Sequence, residues 1–424
     1  MSRRSLAVSL VVLTVGARAL VAEPLPRARP EALGLDPARL QRIRQVLERD
    51  VAEGRMPGAV VAIARRGKLA YFEAIGFLDP EKKTPMRKDA IFSIASMTKP
   101  LTAVATLSLQ EEGKLHLGEP AALYLPQLAN LRVAVDPDVT DAKAVRTVPL
   151  RVPISIQDLM RHTAGMAYAW EGAGAIYKMW PGSPADFADQ DDGAGFLSKV
   201  AGWPLLYQPA TAWVYSVSVD VLGLLDEKVS GQPLGALLAS RVFQPLGMVD
   251  TGFVVPPAKV DRYARALPRD PETGQPQAIM DSTRPHRFDC GGACAVSTAA
   301  DYLRFGQMLL DGGRLGRTRV LGRKSVELMT ADHLGADIAN LAARTDPTRR
   351  GVGHGLTVAV RTAPGVSPYL GSVGEYGWGG AYGTQFWVDP RERLVVVFMA
   401  HTPGTQRLHY RQLIGSLVLQ AIAD

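Results

Sequence analysis

Ile91-Phe92-Ser93-Ile94-Ala95-Ser96-Met97-Thr98-Lys99-Pro100-Leu101 opens a helix predicted over residues 97 to 112 and stopped by Gly113. Ser96 stands at its start and Lys99 three positions on. Residues three apart on a helix share a face, so the Lys99 amine falls within reach of the Ser96 hydroxyl. A serine nucleophile needs a base, and a lysine serves as one only when neutral. Burial and the positive end of a helix dipole both favour the neutral amine. The same helix start aims the Ser96 N–H where an oxyanion would develop. On these four residues alone, a capping serine beside a solvent-facing lysine remains an equal alternative.

Upstream, Asp36-Pro37 followed by Leu40, Ile43, Val46, Leu47 and Val51 predicts an amphipathic helix with an N-cap and a proline in its first turn. Gly58 to Ala64 and Leu69 to Ala74, joined through Arg66-Gly67, read as a β-hairpin. Downstream, from about Pro120 to Pro285, the chain turns helical and loop-rich. Val296 to Asp301 then starts a helix carrying Tyr302, Phe305, Met308 and Leu309 and ending at Gly312-Gly313. Strands are predicted at Thr357 to Arg361, Gly383 to Val388 and Leu394 to Ala400, with a closing helix from about Leu408. The economical arrangement is α+β: an antiparallel sheet shared by the two ends of the chain and flanked by helices, with a mostly helical lobe inserted. The expected divisions are 23–119 with 286–424 for the sheet part and 120–285 for the lobe, the site lying between them.

The first residues read as an export signal: Arg3 and Arg4, an uncharged run from Ser5 to Ala17, and Ala17-Arg18-Ala19 or Ala22 as a cleavage site. Residues 1–22 are therefore expected to be removed, and the mature protein to be periplasmic or secreted without a stable membrane anchor. Arg18 interrupts the run too early for a membrane span. The 424 residues are 47% hydrophobic and 21% charged, as in ordinary globular proteins. The formal charge of +7 comes from scattered basic residues, three of them within the leader, and nothing points to nucleic acid. Cys290 and Cys294 are read as two small buried thiols, export also permitting a disulfide. His286 with these cysteines lacks a fourth ligand, so no metal site is assigned.

Tyr215, in Trp213-Val214-Tyr215-Ser216-Val217, is by itself an ordinary core aromatic. Trp378-Gly379-Gly380-Ala381 lies just ahead of a predicted strand, where paired glycines mark either a turn or a close approach to the backbone. In this order, Ser96-x-x-Lys99, Tyr215 and Trp378-Gly379-Gly380 resemble the serine β-lactamase and penicillin-binding superfamily, and most closely the family VIII carboxylesterases related to class C β-lactamases. Leu159 to Met166, Gln244 to Met248 and Gly291 with the Val296 to Tyr302 run are similar to that family's recurring segments.

The resemblance implies a β-lactamase/transpeptidase-like fold, and Ser96, Lys99 and Tyr215 as the catalytic set. It further implies an oxyanion hole from the backbone of Ser96 and Ala381, and no cofactor. Tyr168 matches a second tyrosine lining the esterase site. Trp170, Gly172 to Gly174, Tyr177 and Trp180 either cover the pocket or form a plain loop. His162 matches a structural turn. Two departures select the branch. Val217 replaces an asparagine two residues after the tyrosine, and Trp378 replaces the lysine that recognises a substrate carboxylate, leaving Trp378, Gly379, Gly380 and Val217 to face a neutral substrate. Short-chain neutral esters are the expected small-molecule partners. The alternatives are a class C-like β-lactamase or D-alanyl-D-alanine carboxypeptidase or D-aminopeptidase, an acyltransferase, and a non-catalytic penicillin-recognising sensor. The absence of Gly-x-Ser-x-Gly argues against an α/β-hydrolase triad.

Overall fold

The computed structural model describes residues 24–341 and 349–424, so the expected leader, residues 1–22, lies outside the described residues. Helix α1 (Pro37–Ala52) begins where the sequence predicts. The Asp36 carboxylate accepts from the N–H groups of Ala38 at 2.8 Å and Arg39 at 3.1 Å, and Pro37 sits where no N–H is needed. Strands β1 (Gly58–Arg65) and β2 (Lys68–Asp79) form the expected hairpin, longer than predicted. Its two-residue turn puts Arg66 at φ 54° and Gly67 at φ 76°, the doubly left-handed turn whose twist matches paired strands.

Six further strands complete one antiparallel sheet: β3 (Thr84–Pro85), β4 (Val352–His354), β5 (Ala359–Arg361), β6 (Tyr376–Gly379), β7 (Gln385–Asp389) and β8 (Leu394–Ala400). Their order is β4-β5-β6-β7-β8-β1-β2-β3, so β1 from the N-terminal end pairs with β8 from the C-terminal end. Every residue of β1 and β8 is buried, because helices cover both faces. Helices α1 and α5 (Gln406–Leu419) put Leu40, Ile43, Leu47, Tyr410, Ile414 and Val418 against Val61, Ile63, Val396 and Phe398 on one face. On the other, Val60, Ala62, Val395 and Val397 share a core with α2 (Thr98–Glu111) and α4 (Ala299–Leu310), a helix that starts within the predicted run and whose Asp301 N–H is capped by the Thr298 side chain. This two-sided alternation makes the sheet rigid enough to carry a site against one of its faces.

Three strands of this sheet were not expected. β3 and β4 are short strands at its two edges, and β6 holds Trp378 itself, which the sequence reading set ahead of a strand. Between β3 and β4 the chain is built largely of turns and helices, among them α3 (Ser218–Ser230), which packs on α2. Cys290 and Cys294, expected as thiols, are instead joined in a disulfide. The intervening Gly291-Gly292-Ala293 turns back on itself and brings the two Cα atoms to 5.2 Å.

Candidate active site

From Ala90 to Leu109 every residue is buried except Ser96. Ser96 lies in a tight turn (Ala95–Met97) that leads directly into α2. Its predecessor Ala95 is held at φ 43°, a left-handed conformation that side-chain-bearing residues seldom adopt and that tertiary contacts must impose. Those contacts are present. Ile94 N–H donates to Ala295 O at 3.0 Å, Thr98 Oγ1 donates to Ala95 O at 2.7 Å, and Ala295 N–H donates to Thr98 Oγ1 at 3.1 Å. The serine hydroxyl is thus presented at the one opening in a buried segment.

Lys99, fully buried, places Nζ 3.5 Å from Ser96 Oγ and donates to Gly292 O at 2.8 Å. The solvent-facing alternative for this lysine is thereby removed. Its ammonium position lies 4.7 Å from the centre of the Tyr215 ring and 5.9 Å from that of Tyr168. Gly292 belongs to the disulfide-closed loop, and its N–H donates to Asp220 Oδ1 at 2.8 Å. Asp220 is completely buried on α3. Burial pushes its carboxyl up to about 6, against the opposing pull of the Lys99 charge and the Gly292 N–H. Asp220 and Gly292 were missed from sequence, since nothing in either neighbourhood indicates that they meet.

Aromatic rings wall the opening. Tyr215 has Trp378 with its ring centre at 5.5 Å, Tyr168 at 5.6 Å and Trp170 at 6.0 Å, and Trp378 Nε1 donates to Tyr215 Oη at 3.4 Å. Trp170 stacks on Tyr168 at the rim, while Tyr177 and Trp180 are buried beneath. Burial pushes the Tyr168 hydroxyl well above its ordinary range, the nearby Asp220 charge adding to it. His162 lies in a turn at φ 58°, packs 4.8 Å from Tyr215 and shares Nδ1 with Ser216 Oγ at 3.1 Å. Burial holds it well below the usual imidazole range, the neighbouring His354 and Lys99 adding to the effect. His354, unforeseen, joins the wall from β4, 5.1 Å from Trp378. Val217 is fully buried in the core below α3 and offers no surface to a ligand, so the structure does not bring it to the site. Trp378 was read as leaving the site without a cation, but Arg349 lies over its ring at 4.2 Å.

The turn after β6 completes the geometry. Gly380 N–H donates to Thr384 O at 2.8 Å, and Thr384 Oγ1 donates to Ile94 O at 3.2 Å, tying this turn to the segment that enters Ser96. A Cβ on Gly380 would come within 2.4 Å of Ile94 O, so glycine is required by close approach. Ala381 is exposed on this turn, and its N–H has no hydrogen-bond partner among the described residues. Gly379 and Gly380 therefore act through backbone shape. No group of His, Cys, Asp and Glu among the described residues could hold a metal ion.

A family model described as Beta-lactamase matches residues 43–418. Protein Rv1367c of Mycobacterium tuberculosis is 36% identical over 82% of this chain and 87% of its own length. Esterase EstB of Burkholderia gladioli is 32% identical over 88% of this chain and 93% of its own. Among solved structures, EstCE1, described as a hydrolase with promiscuous acyltransferase activity, superposes with a TM-score of 0.71 at 26% identity, covering 92% of this chain and 99% of that one.

Proposed function

We propose that this chain, which belongs to the beta-lactamase family and is a serine hydrolase, is a carboxylesterase that cleaves short-chain neutral esters through an acyl-enzyme on Ser96. Ser96 Oγ attacks the ester carbonyl carbon while its proton passes to Lys99 and Tyr215 acting as a pair. The carbonyl oxygen becomes an oxyanion received by the N–H groups of Ser96 and Ala381. Collapse expels the alcohol, which takes up the proton, and water attacking the same carbon frees the acid and restores the serine. The observation that carries this reading is a single accessible hydroxyl in a buried segment, with the buried Lys99 Nζ 3.5 Å away and the Tyr215 ring beside it.

The preference for esters rests on Trp378, whose apolar face stands where β-lactam recognition calls for a cation, and on the likeness to an esterase. The test is a comparison of kcat/KM for p-nitrophenyl butyrate and benzylpenicillin, with labelling of Ser96 by a fluorophosphonate. The butyrate should be strongly preferred. Equal or better turnover of the penicillin would refute the esterase assignment, and failure to label Ser96 would refute the hydrolytic one.

One observation favours a second reading. Arg349 over Trp378 restores a positive charge to the rim, and its field also opposes the burial that pushes the Glu171 carboxyl up to about 8. A substrate bearing a carboxylate, whether a β-lactam or an acidic ester, could use that charge. Arg349→Ala should then lower kcat/KM for a carboxylate-bearing ester and leave its neutral analogue unchanged.

A further inference from the structure

We infer that Arg411, on the C-terminal helix and remote in sequence from the rest of the site, is a positioning residue for the oxyanion hole: it holds and polarises the Gly380–Ala381 peptide. The inference rests on the proposed roles of Ser96 and Ala381. Arg411 Nη2 donates to Gly380 O at 2.6 Å. Its guanidinium lies against Gly379, where a Cβ would come 2.5 Å from Cζ, so a side chain at 379 would press on the group that makes this bond.

The direction of that bond has a consequence for the next residue. In a trans peptide the C=O and the following N–H point to opposite sides of the chain, and the described residues contain no cis peptide. Arg411 belongs to α5, which covers the same face of the sheet as α1, whereas Ser96 leads into α2 on the opposite face. Drawing Gly380 O towards α5 therefore turns the Ala381 N–H towards Ser96. The Gly380 N–H bond to Thr384 O, the Gly383 N–H bond to Gly380 O at 3.2 Å and the Thr384 Oγ1 bond to Ile94 O fix the rest of the turn. Arg411 adds to the Gly383 N–H a second, shorter and charged donor on the same oxygen, which strengthens the hold on the peptide's orientation.

The charge matters as well as the geometry. A charge-assisted bond on a carbonyl oxygen withdraws electron density through the amide and makes its N–H a stronger donor. The benefit is largest when the acceptor carries negative charge, which is the transition state rather than the bound ester. A group acting in this way raises kcat and leaves KM nearly unchanged. A cleft of about 200 Å³ between α5 and the sheet, lined by Arg361, Glu375, Trp387 and Arg411, leads to this position. A small cation in solution can therefore reach the place of a deleted guanidinium.

The experiment measures kcat and KM for p-nitrophenyl butyrate with the full chain and with Arg411→Met, Arg411→Lys and Arg411→Ala, beside thermal melting of each. Removing an oxyanion donor outright lowers kcat by roughly 10² to 10³, so loss of its support should lower kcat by about 10- to 100-fold with KM changed less than about threefold. Arg411→Lys should fall between. Methylguanidinium should restore part of the kcat of Arg411→Ala and leave the intact enzyme unchanged, an effect that simple destabilisation does not produce. Wild-type kcat in Arg411→Met, a change confined to KM, or absence of rescue overturns the inference. Should Arg411→Met not fold, Arg411→Gln, which keeps a donor without charge, carries the test and must lose at least about fivefold in kcat. An intact enzyme that neither labels at Ser96 nor cleaves esters overturns the hydrolytic reading and this inference together. Full labelling of the wild type with an unimpaired Arg411 variant overturns this inference alone.

Discussion

Replacing Asp220 with asparagine should change how stability depends on pH more than it changes stability at any one pH. Asp220 is fully buried, its Oδ1 accepts the Gly292 N–H at 2.8 Å, and its Oδ2 has no partner among the described residues. Burial raises its carboxyl from 3.8 to about 6. Below the lower value both the folded and the unfolded chain hold the proton, and the stability associated with the neutral group is fully present. As pH rises the unfolded chain ionises freely while the folded one resists, so that stability is lost up to and through the folded value. Two pH units at roughly 1.36 kcal/mol each make the loss about 3 kcal/mol. Asparagine does not titrate. Its buried amide, facing a site built for an oxygen, costs about 1–3 kcal/mol at every pH alike. Asp301, also raised to about 6 by burial, is present in both proteins and cancels. Urea unfolding of wild type and Asp220→Asn at pH 4 and pH 7.5 isolates the effect. The unfolded carboxyl is already partly ionised at pH 4, so the variant should gain about 2.4 kcal/mol relative to wild type between the two conditions. Parallel pH profiles would show that Asp220 ionises as easily in the folded protein as in the unfolded one, and would refute the reasoning.

Ser96→Ala and Lys99→Ala should each lower kcat/KM for p-nitrophenyl butyrate by orders of magnitude, with the double variant little worse than either, because residues acting as one unit are not additive; near-normal turnover in Lys99→Ala would remove the lysine from the mechanism. Replacing Cys290 and Cys294 together with alanine should cost about 2 kcal/mol, the chain-entropy value for so short a closed loop, and should lower kcat because Gly292 O, the acceptor for Lys99 at 2.8 Å, lies inside that loop. Unchanged kcat with lowered stability would confine the disulfide to a structural role. Export is proposed from the leader pattern alone: N-terminal sequencing of natively produced protein should find a start between about Leu20 and Pro24, and intact Met1 in the cytoplasm would contradict it.

What could be read from the sequence is what neighbouring residues decide among themselves. The cap of α1 by Asp36 and Pro37, the Arg66-Gly67 turn, the helix start within Val296 to Asp301 and the one-turn spacing of Ser96 and Lys99 depend on chain chemistry within a few residues, and each is found as predicted. Tyr215 and the Trp378 segment carried no such local signal, and only their order beside Ser96-x-x-Lys99 pointed to them. Strand β6 went unseen because Gly377 and Gly379 leave one side of it bare. The reason lies elsewhere in the chain: a Cβ on Gly377 would come 2.3 Å from Phe386 O, and one on Gly379 would press on Arg411. The cysteines were misjudged because a spacing of four does not set a Cα separation; the turn of the glycine loop does. Asp220, Gly292, His354, Arg349 and Arg411 reach the site from α3, the disulfide loop, the sheet edge at β4, the segment before it and α5. Each meets a partner that is far away in sequence and near only in the folded chain, whose two ends share one sheet through the pairing of β1 with β8. A hydrogen bond between residues so far apart leaves no periodicity or spacing behind, so the proposed nucleophile Ser96 and its neighbour Lys99 were legible in the sequence while the groups that hold Lys99 and the Gly380–Ala381 turn were settled by tertiary packing.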